Sequence, residues 1–202
     1  GSAVSAGGLD LDGVSVKAAL RGLPGLPAVN LQGEAKAAGQ PADLRLEASP
    51  SGRGLRITRL QLELPATSLQ ASGDLDPATL LFSGATDLSC SDLGVPGRIL
   101  GTQMRGGAEV RAEMAASAGV QHVRLDGRGA DISIVGLTVA HATVNGTTSW
   151  PVSPGTTDLR IDIASAAFGK LAADSASCRL RDAGQGLTFD LALKHGPSYT
   201  DV

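Results

Sequence analysis

Apolar and polar residues alternate along most of this chain. Val14, Val16, Ala18 and Leu20 begin the pattern, and Leu44, Leu46 and Ala48, followed by Leu55 and Ile57, repeat it. In an extended strand every second side chain shares a face, so each set predicts a strand with one oily and one polar side. Leu60, Leu62 and Leu64 have the opposite parity to Leu55 and Ile57. A one-residue slip would turn those side chains over, which predicts a bulge or bend near Arg59. Val123 and Leu125, Ile132 and Ile134, then Val135, Leu137 and Val139, Leu159, Ile161 and Ile163, and finally Leu187, Phe189, Leu191 and Leu193 continue the series. Gly136 and Gly146 sit where runs stop or change parity, and Pro65, Pro77 and Pro154 fall between runs, where a missing amide donor is harmless.

Helical periodicity with a capping signal is scarce. Ala108 to Ala118 has the Ala, Glu, Arg and Met content of a helix, but Val110, Ala112 and Met114 alternate with Glu109, Arg111 and Glu113, which favours a strand. A short helical turn is expected around Pro77 to Leu81. The expected fold is all-β: a long, curled, mostly antiparallel sheet of irregular repeated hairpins. No fixed period of a strict solenoid is present. Gly1-Ser2 reads as an expression scar, and residues 3–202 as one elongated segment of a larger protein.

Composition narrows the function. The 202 residues suffice for a sizeable core, and 17 basic against 20 acidic residues give a net charge of -3 with the signs interspersed, unlike a nucleic-acid surface. Aromatics make up 2%, too few for base-stacking platforms or the aromatic girdles of an outer-membrane barrel. The apolar residues are instead overwhelmingly aliphatic.

Candidate chemistry is sparse. Cys90 and Cys178 lie far apart with no ligand-spaced partners, so no metal site is expected. A disulfide between them needs their Cβ atoms to meet, which sequence cannot establish, and two unpaired, partly buried thiols are the default. His122, His141 and His195 are isolated, and carboxylates such as Glu47, Glu63, Asp158 and Asp162 alternate with apolar neighbours as a solvated face would have them. No nucleophile elbow or carboxylate pair stands out, so no catalytic residue and no cofactor are expected. Asn145-Gly146-Thr147 matches a glycosylation sequon and reads more simply as a turn.

Strands with one apolar face need something to cover it: a second sheet, closure into a barrel, or helices. With few helices and few aromatics, another solution is an open groove, a "β-taco", in which acyl chains supply the missing layer. The residues that alternation nominates as groove lining are Leu44, Leu46, Leu55, Ile57, Leu60, Leu62, Leu64, Leu69, Val123, Leu125, Ile132, Ile134, Leu137, Val139, Leu159, Ile161, Ile163, Leu187, Phe189, Leu191 and Leu193.

The stretch to Ser89 carries a resemblance. It reads Gly-Leu-Arg-Ile-Thr-Arg-Leu-Gln-Leu-Glu-Leu, then Leu-Gln-Ala-Ser-Gly-Asp-Leu-Asp, then Ala-Thr-Asp-Leu-Ser, and a looser version runs from Leu125-Asp126-Gly127 through Ile134-Val135-Gly136-Leu137-Thr138-Val139. This style of repeat resembles TamB-like proteins of the AsmA-like superfamily over about two thirds of the chain. The resemblance implies a periplasmic segment of a Gram-negative envelope protein, tethered to the inner membrane by a segment outside this chain. It further implies phospholipid acyl chains as ligands in transport between inner and outer membranes. An Omp85-family, TamA-like outer-membrane barrel would be a partner of other parts of the protein. Two other readings stay open: a chaperone-like segment that binds outer-membrane protein strands at its edge, and a structural β-sandwich of an adhesin or stalk.

Overall fold

The computed structural model describes residues 4–6, 9–22, 27–37, 39–52, 54–150, 156–182 and 186–195. Its strands are β1 (Val4–Ala6), β2 (Leu9–Arg21), β3 (Ala28–Ala37), β4 (Gln40–Ser51), β5 (Gly54–Leu64), β6 (Thr67–Asp76), β7 (Leu81–Cys90), β8 (Met104–Ser117), β9 (Val120–Ile134), β10 (Leu137–Trp150), β11 (Asp158–Phe168), β12 (Leu171–Asp182) and β13 (Leu187–Lys194). One helix, α1 (Gly94–Ile99), interrupts the series between β7 and β8. The strands form a single 13-stranded sheet in chain order, and every pairing is antiparallel. An all-β meander is therefore the architecture, and Ala108 to Ala118 is strand for most of its length.

Tight turns explain the meander. Ala118-Gly119 and Val135-Gly136 each put two consecutive residues at positive φ (50° and 78°, 46° and 84°). That is the type I′ geometry whose twist matches antiparallel strands. Val135 is β-branched, 73% exposed and held in the left-handed region, where a branched Cβ crowds the backbone. Val135→Asn is expected to raise stability by about 1 kcal/mol in urea denaturation; an unchanged or lower midpoint would contradict this account of the turn.

The expected bulge is present. Glu47 pairs with Arg59 but Ala48 pairs with Ile57, and on the other side Ile57 pairs with Gly73 while Leu60 pairs with Ala71. Thr58 and Arg59 are thus the extra step that lets Ile57 and Leu60 lie on one face despite their opposite parity.

Several expectations give way. The short helical turn expected around Pro77 to Leu81 is a single α-type turn over residues 77–80, closed by the Leu80 amide donating to the Asp76 carbonyl at 2.8 Å and not continued as a helix. The helix lies at Gly94–Ile99, where the side chain of Asp92 accepts from the Gly94 amide at 2.8 Å. Asn145-Gly146-Thr147 is no turn but the middle of β10. Gly146 is required there because a Cβ would strike the Asp158 carbonyl of β11. Pro154 lies outside the described residues. The cysteines, by contrast, follow the default reading of two unpaired thiols: both are free, Cys90 buried and Cys178 half-buried.

The sheet is also not strongly curled, contrary to the curled groove expected from the sequence. A deep curl would bring distant strands together across the apolar side. Contacts here run between chain neighbours, and the one more distant strand pair with more than marginal contact is β7 with β9, on either side of β8.

There is no second layer either, so the described residues do not form a sandwich. Among them the buried apolar side chains are only Ala37, Ala48, Cys90, Val95 and Val139. The accessible surface, 13026 Å², compares with about 8,800 Å² for a compact monomer of 20.3 kDa. The excess is the signature of one uncovered layer.

Candidate apolar sheet face

Cross-strand partners in an antiparallel ladder point to the same side, so the register decides which side chains share a face. Followed from strand to strand, it generates rows perpendicular to the strands. The central row runs Val16, Gly33, Leu44, Leu62, Leu69, Leu88, Val110, Gly127, Val144, Ile161, Cys178, Leu191 and contains no charged or hydrogen-bonding carboxamide or hydroxyl side chain. A second row beside it carries Leu46, Leu60, Ala71, Thr86, Ala112, Leu125, Gly146, Leu159, Leu180 and Phe189. On the other side a third carries Leu64, Thr67, Cys90, Ala108, Gly129, Ala142, Ile163, Ala176 and Leu193. Ile57 and Val123 belong to the row Ala48, Ile57, Gly73, Gly84, Met114, Val123, and Leu55 to the row Leu55, Leu75, Phe82. Leu187 is two residues before Phe189 on the same strand face.

Ile132, Ile134, Leu137 and Val139 needed more than parity. Ile132 and Ile134 are out of phase with Leu125, Gly127 and Gly129. Asp131 stands between them in the left-handed region, φ 53°, opposite a register shift in β8 at Gly106 (φ 99°). This turn of the backbone carries Ile132 over Gly129: a Cβ on Gly129 would run into Cδ1 of Ile132. Ile132 pairs with Val139 and Ile134 with Leu137, so these also join the apolar face. Ser165, φ 53°, makes the same correction in β11, between Ile163 and Ala166. The register thus brings all 21 sequence-nominated positions to one side of the sheet.

Sequence reasoning missed several members of this face. Leu88, Val144 and Leu180 belong to it by register, and so do Val16, Leu20 (57% and 55% exposed) and Val110, whose alternation was legible but which were not nominated as lining. Gly73 and Gly84 meet across β6 and β7, and Cζ of Phe82 lies 2.8 Å from where either would carry a Cβ. The ring fills the space of two missing side chains, an aromatic cover over paired glycines.

Exposure along the face is graded. Val139 is buried, most interior leucines are half-buried by one another, and β13 is open: Leu187 55%, Phe189 64%, Leu191 55%, Leu193 64%. Among the described residues α1 packs on the sheet at one place, with Gly97 against the Met104 side chain of β8, which pairs with Ile134, and no second sheet covers the rest of the face.

The opposite face is charged and paired. Arg56 bonds Asp74 across β5 and β6 (3.0 Å), Arg128 bonds Glu109 across β9 and β8 (2.8 Å), and Arg179 bonds Asp158 across β12 and β11 (2.6 and 2.8 Å). Arg181 reaches Asp190 of β13 at 2.7 Å, and Arg160 reaches Asp162 two residues along its own strand at 2.7 Å. Hydrogen bonds from Arg56, Arg179 and Arg160 hold the carboxyls of Asp74, Asp158 and Asp162 below the ordinary carboxylate range. These pairs are solvent-exposed, so they fix which side is wet more than they add to stability. A shallow depression on this polar side is lined by Ser68, Gln70, Asp87, Ser89, Glu109, Arg111, Asp126 and Arg128.

No family model, curated protein or solved structure matches the chain. What it offers chemically must be judged from its own surfaces. Among the described residues no cluster of three or more His, Cys, Asp or Glu could hold a metal, and no helix is long and apolar enough to cross a membrane. His122, His141 and Cys178 stand on different strands and are not brought into one constellation. The feature that asks for an occupant is the apolar face.

Proposed function

We propose that this chain is a segment of a periplasmic TamB/AsmA-like envelope protein whose apolar sheet face holds phospholipid acyl chains in transit between inner and outer membranes. One observation carries the reading: the central row crosses twelve strands without a charged, carboxamide or hydroxyl side chain, and no second sheet among the described residues covers it. Eleven interstrand steps of roughly 4.8 Å make this row about 53 Å long, against about 15 Å for the acyl layer of one membrane leaflet. Hydrocarbon laid across the strands therefore finds continuous contact over several times its own length. A chain of about sixteen carbons buries only one side on an open face, which at ~0.8 kcal/mol per fully buried methylene gives on the order of 6 kcal/mol before ordering costs. That is weak enough to let go and suits passage better than storage.

The paired charges on the far side keep that face in water, so the sheet has a defined wet and oily orientation. A TamA-like barrel would be engaged elsewhere in the protein. A second reading, capture of outer-membrane protein strands at the sheet edge, draws on β13, whose alternate apolar side chains and outer backbone groups are open.

The discriminating experiment is native mass spectrometry with lipid extraction on the purified segment after exposure to mixed phospholipid vesicles. Bound phospholipid that survives washing is expected, with little preference among headgroups because the central row carries no charge. A lipid-free protein that instead crosslinks an extended apolar peptide through β13 would replace the first reading with the second.

A further inference from the structure

The sheet is not equally strong along its width. β7 uses all ten of its residues in the ladder with β6, and β8 forms thirteen pairs with β9, but β7 and β8 share only seven, from Gly84 with Met114 to Cys90 with Ala108. Continuation of that ladder would set Phe82 against Ala116. Instead the strands fork. The Phe82 amide donates to Oε1 of Gln121 and the Phe82 carbonyl accepts from its Nε2, both at 2.8 Å, so a carboxamide from β9 takes the place of a strand residue. Nε2 also lies 3.3 Å from the carbonyls of Ala115 and His122, and the Ala116 amide turns to the hydroxyl of Ser83 at 3.0 Å.

The other end of the same pair is closed by a long connection in place of a tight turn, with the Leu93 amide donating to the Gly106 carbonyl of β8 at 2.7 Å. The chain leaves β7 at Cys90 and returns only at Met104, through α1, whereas β8 to β9 and β9 to β10 are joined by two-residue turns. A tight hairpin holds its strands in register; a 13-residue excursion (91–103) does so far less. Short ladder, forked end and long connection coincide at one boundary.

We infer that the β7–β8 boundary is a mechanical seam latched by Gln121, along which the sheet opens or flexes before any other interior ladder parts. Strands β2–β7 and β8–β13 are then two plates that change their mutual angle by adjusting seven backbone pairs and one carboxamide. The apolar rows cross this line, so flexing there alters the curvature of the face without disturbing either plate. The seam follows from backbone pairing and holds whatever the face binds.

Residue-resolved amide hydrogen exchange on the whole chain tests it. Amides of β7 and β8 that bond each other are expected to exchange at least tenfold faster than those of the β9–β10 ladder, and Gln121→Ala is expected to speed the former several-fold more while leaving the latter unchanged. Wild-type protection of the β7–β8 amides within threefold of β9–β10 would overturn the seam, and that measurement stands even if the variant folds poorly. A folded Gln121→Ala protein with an unaltered ratio would overturn the latch.

Discussion

Ile161→Asp and Leu191→Asp, made singly, are expected to leave the sheet folded while cutting phospholipid capture about tenfold or more. Both residues lie in the central apolar row, and both are open to solvent, at 37% and 55% exposure. A carboxylate at either place keeps most of its hydration in the free protein, so folding costs little. It would have to shed that water under hydrocarbon, and the aliphatic contact of the lost side chain disappears as well; about 1.4 kcal/mol already accounts for tenfold. Val139→Asp is the contrasting control, because Val139 is 5% exposed and a charge there should cost the fold itself. Circular dichroism and vesicle-extraction assays read the two effects separately. If both exposed-site variants fold and capture lipid as the parent does, the apolar face is not where lipid sits.

Gly84→Ala is expected to destabilise the sheet by about 3 kcal/mol. A Cβ on Gly84 would meet the Ser72 carbonyl and lie 2.7 Å from the Gly73 Cα and 2.8 Å from the Phe82 ring. Two of those three obstacles are backbone of the paired strand and cannot swing away. Gly33→Ala makes the comparison clean, since its Cβ would find ordinary contacts, Leu44 Cβ at 3.7 Å being the nearest. Urea denaturation should separate the two by several-fold in cost; near-equal values would mean that the β6–β7 crossing tolerates a wider spacing than its geometry indicates.

Much of the fold was legible because period-two alternation is a direct projection of a two-sided sheet onto sequence. The bulge at Thr58 and Arg59 was legible too, since Ile57 and Leu60 can share a face only if a residue is added between them. The analogous corrections at Asp131 and Ser165 left a weaker trace: a single residue at positive φ turns the strand without inserting a visible extra step, and only Asp has a modest preference for that region. Gly146 was misjudged as a turn because a glycine demanded by a neighbouring backbone looks, in sequence, like one demanded by a bend. The six residues of α1 include Gly94, Pro96 and Gly97, too short and too interrupted for helical periodicity, with Asp92 as the one local cue. The degree of curl was not legible at all. It accumulates from small twists at every ladder, and alternation reports which side a residue takes, not how far the side bends.

Strict chain order in the sheet has a bearing on how the molecule comes into being. Each strand needs only the one before it, so contacts are local in sequence and assembly can advance like a zipper from whichever hairpin closes first. A protein built this way has no late, long-distance closure to wait for. It can be extended by further hairpins in evolution, or emerge gradually through a translocation pore, while the part already out is folded and the newest strand serves as the template for its successor.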